Sequence, residues 1–176
     1  MLSVEFQVVP SDVDETVKPG LSPSETVMLL AERKADPISV RYPENLVLAA
    51  DTIVVVDGTI LGKPGSPSQA ADMLACLSDR THKVLTGVAL LHGASDRKVV
   101  NHEVTEVTFS PLTNDEIRAY VSGGSPMDKA GAYGIQDDRG SLFIRRISGD
   151  YYNVVGLPLN LVYRLARRNF PELDLF

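Results

Sequence analysis

The chain has 176 residues, 44% apolar and 23% charged, with a net charge of -6. These values suit one globular domain with a sizeable core and exclude a disordered chain. The acidic balance, with no long run of Lys or Arg, argues against a nucleic-acid polymer as partner; no apolar stretch approaches the roughly 18 residues of a membrane span; and a single cysteine, Cys76, excludes an internal disulfide.

Charge arrives at Glu5 before any long apolar region, so no signal peptide is expected and the cytoplasm is the default compartment. Leu2 to Val9 alternates loosely and reads as a strand, ended by Pro10. Ser22-Pro23-Ser24-Glu25 opens a helix, with Val27, Leu30, Ala31 and Ala35 in helical period and Pro37 as its stop. Leu46 to Val56 reads as one long buried strand, or as a strand broken at Asp51. Asp57-Gly58 is a hairpin turn returning through Thr59 to Leu61. Ser66-Pro67 starts a second helix with Ala70, Ala71, Leu74 and Leu77 inward, and Cys76 in its apolar pattern reads as core packing. Val84 to Leu91 and Val99 to Phe109 form an antiparallel pair joined by Gly93-Ala94-Ser95-Asp96. Thr113-Asn114-Asp115-Glu116 is a capping box for a helix that Gly123-Gly124 ends. Leu142 to Ile147 is a further strand, and Pro158 begins a C-terminal helix. With no repeat or linker, these elements make residues 1–176 a single α/β domain with a mixed sheet, not a doubly wound parallel one.

Four constellations could carry chemistry. In Ser11-Asp12-Val13-Asp14-Glu15-Thr16, three carboxylates in four positions are either a solvated acidic turn or an oxygen-rich rim for a hard cation such as Mg²⁺. Asp51 interrupts the apolar run Ala49-Ala50-Asp51-Thr52-Ile53-Val54. A carboxylate there needs a compensating partner, and it either pairs structurally or faces a cleft where it holds a metal or takes a proton from water. Arg33-Lys34, Lys63 and Lys129 are scattered cations. Each alone reads as a surface charge, but together with carboxylates and a metal they suit a triphosphate. Ala130-Gly131-Ala132-Tyr133-Gly134-Ile135-Gln136 has glycines that let backbone approach a ligand, and Gln136 offers a donor and an acceptor for a base edge. The histidines, at ten-residue intervals (His82, His92, His102), match no metal-ligand spacing, and there is no Walker loop or G-x-S-x-G. Tyr151-Tyr152 reads as packing rather than as a stacking platform.

The order of several segments resembles the Maf family of nucleoside triphosphate pyrophosphatases. The matching stretches are Ser11-Asp12-Val13-Asp14-Glu15, Ala50-Asp51-Thr52, Gly62-Lys63-Pro64, Arg80-Thr81-His82 with Thr86-Gly87-Val88, Asp128 to Gln136, and Tyr151 to Pro158. The resemblance implies an elongated two-lobed α/β fold with a central cleft, similar to the ITPases, usually as a homodimer. It implies hydrolysis of a nucleoside triphosphate to monophosphate and pyrophosphate with a divalent cation, Mg or Mn. The position matching Asp51 would accept the proton from water and hold the metal, those matching Thr52 and Gln136 would select the base, and Glu15, Lys34 and Lys63 would contact metal or phosphates. The Gly-Ile-Gln wording resembles the branch that prefers dTTP and UTP, and the family is also linked to inhibition of septum formation. The family's opening strand and Ser-x-Ser-Pro-Arg-Arg loop have no counterpart here, which keeps a nucleotide-binding or division-regulating module without turnover as the alternative. Asp79 and Asp137-Asp138 stand where family members often carry glycine.

Overall fold

The computed structural model describes residues 4–17 and 20–175. Helix α1 (Pro23–Arg41) is followed by strand β1 (Leu46–Val56), β2 (Thr59–Leu61), α2 (Pro67–Leu77), β3 (Thr81–His92) and β4 (Arg97–Phe109). Then come α3 (Asn114–Ser122), β5 (Ile144–Ser148), the short α4 (Tyr151–Val155) and α5 (Leu159–Asn169). The α/β class holds. The sheet has five strands in the order β2-β1-β3-β4-β5 and is antiparallel, where mixed directions were expected. Among the described residues no helix is long and apolar enough to cross a membrane.

The chain divides into two compact units, each discontinuous in sequence. The first comprises residues 1–51, 86–103 and 156–176, the second residues 52–85 and 104–155. In the first unit, α1 lays Ala31 and Ala35 against Val47, Ala89 and Leu91, all buried. A second cluster joins Val88 and Leu90 of β3 to Leu161, Val162 and Ala166 of α5 and to Phe170. Helix α1 begins at a full capping box: Ser22 Oγ accepts from the Glu25 N–H, and the Glu25 carboxylate accepts from the Ser22 N–H at 2.7 Å. Pro37 does not stop it. The proline forfeits one backbone bond, but Ala35 before it and Ser39 after it are both buried, and that packing carries the helix to Arg41.

The second unit has one large core around Leu74, Leu77, Val107, Phe109, Tyr120, Tyr133 and Phe143, with Cys76 packed against it. Asp57 and Gly58 both have positive φ (48° and 78°), the combination a two-residue hairpin demands, and β1 and β2 pair accordingly from Val56↔Thr59. Asp79 also has positive φ, at 54°, which explains why a glycine suits that position and why aspartate is tolerated there. At the centre of this core, His82 is 1% exposed. Its Nε2 lies 2.8 Å from the Tyr133 hydroxyl, and its ring meets Phe109 edge-to-face at 5.0 Å.

Three further expectations change. The strand from Leu2 to Val9 does not form: Leu2 and Ser3 lie outside the described residues, and Val4 to Val9 has no regular structure and joins none of the five strands. The alternation there meets no core, because Phe6 is 84% and Val8 78% exposed. The strand placed at Leu142 starts at Ile144, since Gly140–Phe143 is a 3-10 turn that buries Phe143. Tyr151 and Tyr152 are exposed rather than packed into the core, on a five-residue helix that the sequence did not signal.

Two of these features make predictions. A Cβ on Gly87 of β3 would lie 2.1 Å from the Val27 carbonyl oxygen on α1. Gly87→Ala is therefore expected to cost at least about 2 kcal/mol, read as a lower urea midpoint; an unchanged midpoint would show that the two backbones are not in close contact. Burial lowers the His82 pKa to about 4. The unfolded chain binds this proton near pH 6.5 and the folded one only near 4, so stability present above pH 6.5 should be lost as pH falls between those values. The loss should be about 3 kcal/mol, and it should be missing from the pH profile of His82→Gln.

Candidate active site

Strand β1 runs unbroken through Asp51, in a segment where Val54 and Val56 are almost fully buried. The Asp51 side chain is 9% exposed, and its carboxylate accepts a hydrogen bond from Lys34 Nζ at 2.6 Å. Lys34 projects from the middle of α1 and reaches Glu15 as well, at 2.9 Å. The three residues come from three separate segments, and one ammonium joins two carboxylates. Desolvation works against the charge on Lys34, but the hydrogen bonds and charges of Asp51 and Glu15 outweigh it, and its pKa is raised above 10.5. The neighbouring Arg33 ties down the acidic segment, donating to the Thr16 carbonyl at 2.7 Å. Asp14 accepts from the Thr16 N–H at 2.8 Å, and hydrogen bonds from Thr16 hold its carboxyl below the usual range. The acidic stretch is thus divided in role: Asp14 shapes the turn, and Glu15 enters the cluster.

The remaining candidate residues lie in the second unit. Thr52 follows Asp51 on β1 and is half-buried. Lys63 is exposed just after β2, on a segment held to the glycine-bearing loop by a bond from the Gly131 N–H to the Gly62 carbonyl at 3.1 Å. Gly131 has φ +68°, and a Cβ there would sit 2.9 Å from Val54. Two constraints, handedness and space, both require glycine. Gln136 is exposed in the turn that follows. Asp128 draws its carboxyl pKa down from a hydrogen bond with Lys129 and, more weakly, from the charge of Lys63, so Lys63 and the 128–136 loop share one electrostatic neighbourhood. The structure therefore joins Glu15, Lys34 and Asp51 in one unit, and the segments of Lys63 and Gln136 in the other. Sequence reasoning missed Tyr120 and the His82–Tyr133 pair. Tyr120 lies in a capped helical segment and His82 and Tyr133 in separate motifs, and only the geometry shows what their polar atoms hold.

The Maf-like protein family matches residues 1–169. The chain belongs to that family. Among its relatives, a dTTP/UTP pyrophosphatase of Salinibacter ruber is 52% identical over 172 residues, covering 98% of this chain and 84% of the relative. One of Symbiobacterium thermophilum is 53% identical over 171 residues, with 97% and 87% covered. One of Bacillus cereus is 48% identical over 164 residues, with 93% and 84% covered.

For a Maf-like chain the donor set can be tested against a divalent cation. Glu15 and Asp51 converge on one point of positive charge, the Lys34 ammonium. Mg²⁺ takes one or two protein carboxylates and completes its shell with water and substrate phosphates. The residue types meet that demand, while Glu15 Oε1 and Asp51 Oδ1 are engaged by Lys34. Among the described residues no group of three or more His, Cys, Asp or Glu could hold a metal by itself, so a cation here would need substrate or water oxygens.

Lys34→Met should lower stability by about 2 kcal/mol at neutral pH, because it strips the nearly buried Asp51 of its cation. The raised Lys34 pKa means the stabilisation is complete below pH 10.5 and disappears as pH rises through the higher folded value. Urea midpoints of wild type and variant should differ up to that point and converge above it; a constant difference into that alkaline range would contradict the ion pair.

Proposed function

We propose that this chain hydrolyses nucleoside triphosphates, with dTTP and UTP preferred, to the monophosphate and pyrophosphate. Relatives of about 50% identity bearing the name dTTP/UTP pyrophosphatase support the reaction class. The observation that carries the chemistry is the nearly buried Asp51 carboxylate held 2.6 Å from Lys34. A carboxylate in that setting is held in place by the hydrogen bond from its neighbour.

In this reading Asp51 accepts a proton from the attacking water. The water oxygen forms a new bond to phosphorus, the α–β anhydride bond breaks, and pyrophosphate leaves with the electron pair of that bond. Lys34 orients Asp51 through its hydrogen bond. Lys63, exposed and beside the glycine-bearing loop, neutralises phosphate charge. Glu15 and Asp51 would hold a Mg or Mn ion, which would supply charge neutralisation along the phosphates. Thr52 and Gln136 contact the base. The setting we propose is a homodimer in the cytoplasm acting on free nucleotides, with neither a nucleic-acid polymer nor a membrane as partner.

Asp51→Asn keeps the shape of the side chain and removes its basicity. Pyrophosphate release from dTTP and UTP with Mg²⁺ or Mn²⁺ should fall by a factor of about 10² to 10⁴, while the circular dichroism spectrum stays that of the folded chain. A variant retaining wild-type turnover would remove Asp51 from the role of proton acceptor.

A further inference from the structure

The turn that carries Gln136 is tied at both ends by one phenol. Tyr120 of α3 is 3% exposed. Its hydroxyl donates to Asp137 Oδ2 at 2.6 Å and accepts from the Gly134 N–H at 3.2 Å. Phe143 packs edge-to-face on the Tyr120 ring at 5.1 Å and fixes where that hydroxyl sits. Backbone bonds reinforce the turn: Asp137 N–H to the Gly134 carbonyl at 3.2 Å, and Ser141 N–H to the Asp137 carbonyl at 3.1 Å. The Asp137 carboxyl lies so close over Gly134 that a Cβ there would meet Oδ2 at 2.7 Å. A Cβ at Gly140 would meet the Gly134 carbonyl at 2.4 Å. Lys129 Nζ stands 3.8 Å from the other Asp137 oxygen. Gln136 is exposed between two anchored neighbours, buried Ile135 and clamped Asp137, so the backbone that carries it is fixed on both sides.

We propose that the Tyr120–Asp137 hydrogen bond is a positioning device that aims the Gln136 amide and thereby sets the preference for uracil and thymine over cytosine. The inference rests on the reading above that Gln136 contacts the base. Uracil and thymine present an acceptor at O4 beside a donor at N3, and cytosine presents the reverse pair. An amide matches the first pattern with its nitrogen toward O4 and its oxygen toward N3–H. It discriminates only if it cannot shift to meet the other pattern, which requires a rigid support. Asp137 and Tyr120 act through Gln136 and touch no substrate.

The test compares kcat and KM for dTTP and dCTP in wild type, Asp137→Ala, Asp137→Asn and Tyr120→Phe. Arg118→Ala, which removes an exposed charge from the same helix, is the control. Affinities for both nucleotides are measured in parallel by titration in the Asp51→Asn background. Asp137→Ala and Tyr120→Phe should each lose about ten-fold of the dTTP-over-dCTP preference, chiefly through a higher KM for dTTP. Asp137→Asn retains an acceptor oxygen for Tyr120 and should keep most of the preference, and Arg118→Ala should keep all of it. Lower melting temperatures with the preference intact would overturn the proposal, as would a wild-type chain indifferent to the base. If Asp137→Ala does not fold, Tyr120→Phe, which removes a single oxygen, decides. A wild-type chain that binds dTTP selectively but releases no pyrophosphate would defeat the catalytic reading alone, and the affinity ratios would still decide the clamp.

Discussion

A carboxylate cannot enter an apolar strand unless something neutralises it, and in this chain that constraint organises the first unit. Asp51 lies within the long β1, its side chain 9% exposed, and Lys34 is the cation that permits it. For Lys34 to arrive there, α1 must run at a set depth and rotation. Ala31 and Ala35 supply these by presenting small side chains to Val47, Ala89 and Leu91. Gly87 lets β3 approach the Val27 backbone more closely than any side chain would allow. The same helix turn carries Arg33, whose bond to the Thr16 carbonyl holds the segment that delivers Glu15 to Lys34. A desolvated charge, a helix with a small-residue face and an irregular acidic segment are thus one arrangement.

The second unit solves a different problem: how to fix a loop that is neither helix nor strand over most of its length. Its core is aromatic, and several of its rings carry a polar atom that bonds another ring or the loop. His82 meets Tyr133 inside the core, and Tyr120 reaches from α3 to Asp137 and Gly134. Each such bond is worth about 1 kcal/mol net, but its larger effect is to remove freedom from residues 130–140. Glycine is needed at Gly131 for handedness and for the approach of Val54. Rigidity of this kind would serve the base contact proposed for Gln136, because selectivity between bases depends on where donors and acceptors cannot go.

Much of the framework was legible because it depends on short-range rules. The serine cap and early proline at Ser22-Pro23, the Thr113/Glu116 capping box, the Asp57-Gly58 turn and the period of Val27, Leu30, Ala31 and Ala35 each concern residues within a few positions of one another, and each appears in the structure. The failures also have physical causes. Pro37 carries a local penalty that buried neighbours on both sides outweigh. The alternation from Val4 to Val9 looks like a strand, but alternation matters only when one face meets a core, and Phe6 and Val8 meet solvent. Ile144 rather than Leu142 begins β5 because Phe143 is buried by a preceding turn.

For the site, the sequence by itself determined that Asp51 needs a partner, that Glu15, Lys34 and Lys63 are charges of the kinds a metal or triphosphate takes, and that the glycines before Gln136 permit a close approach. These follow from residue type and immediate context. Only the tertiary structure decided that the partner is Lys34, that Glu15 and not Asp14 joins it, and that Tyr120 and Asp137 hold the turn of Gln136. The reason is one of distance along the chain. Lys34 and Asp51 are 17 residues apart, as are Tyr120 and Asp137. Pairings at that range are chosen by how helices and strands pack, which no local pattern encodes.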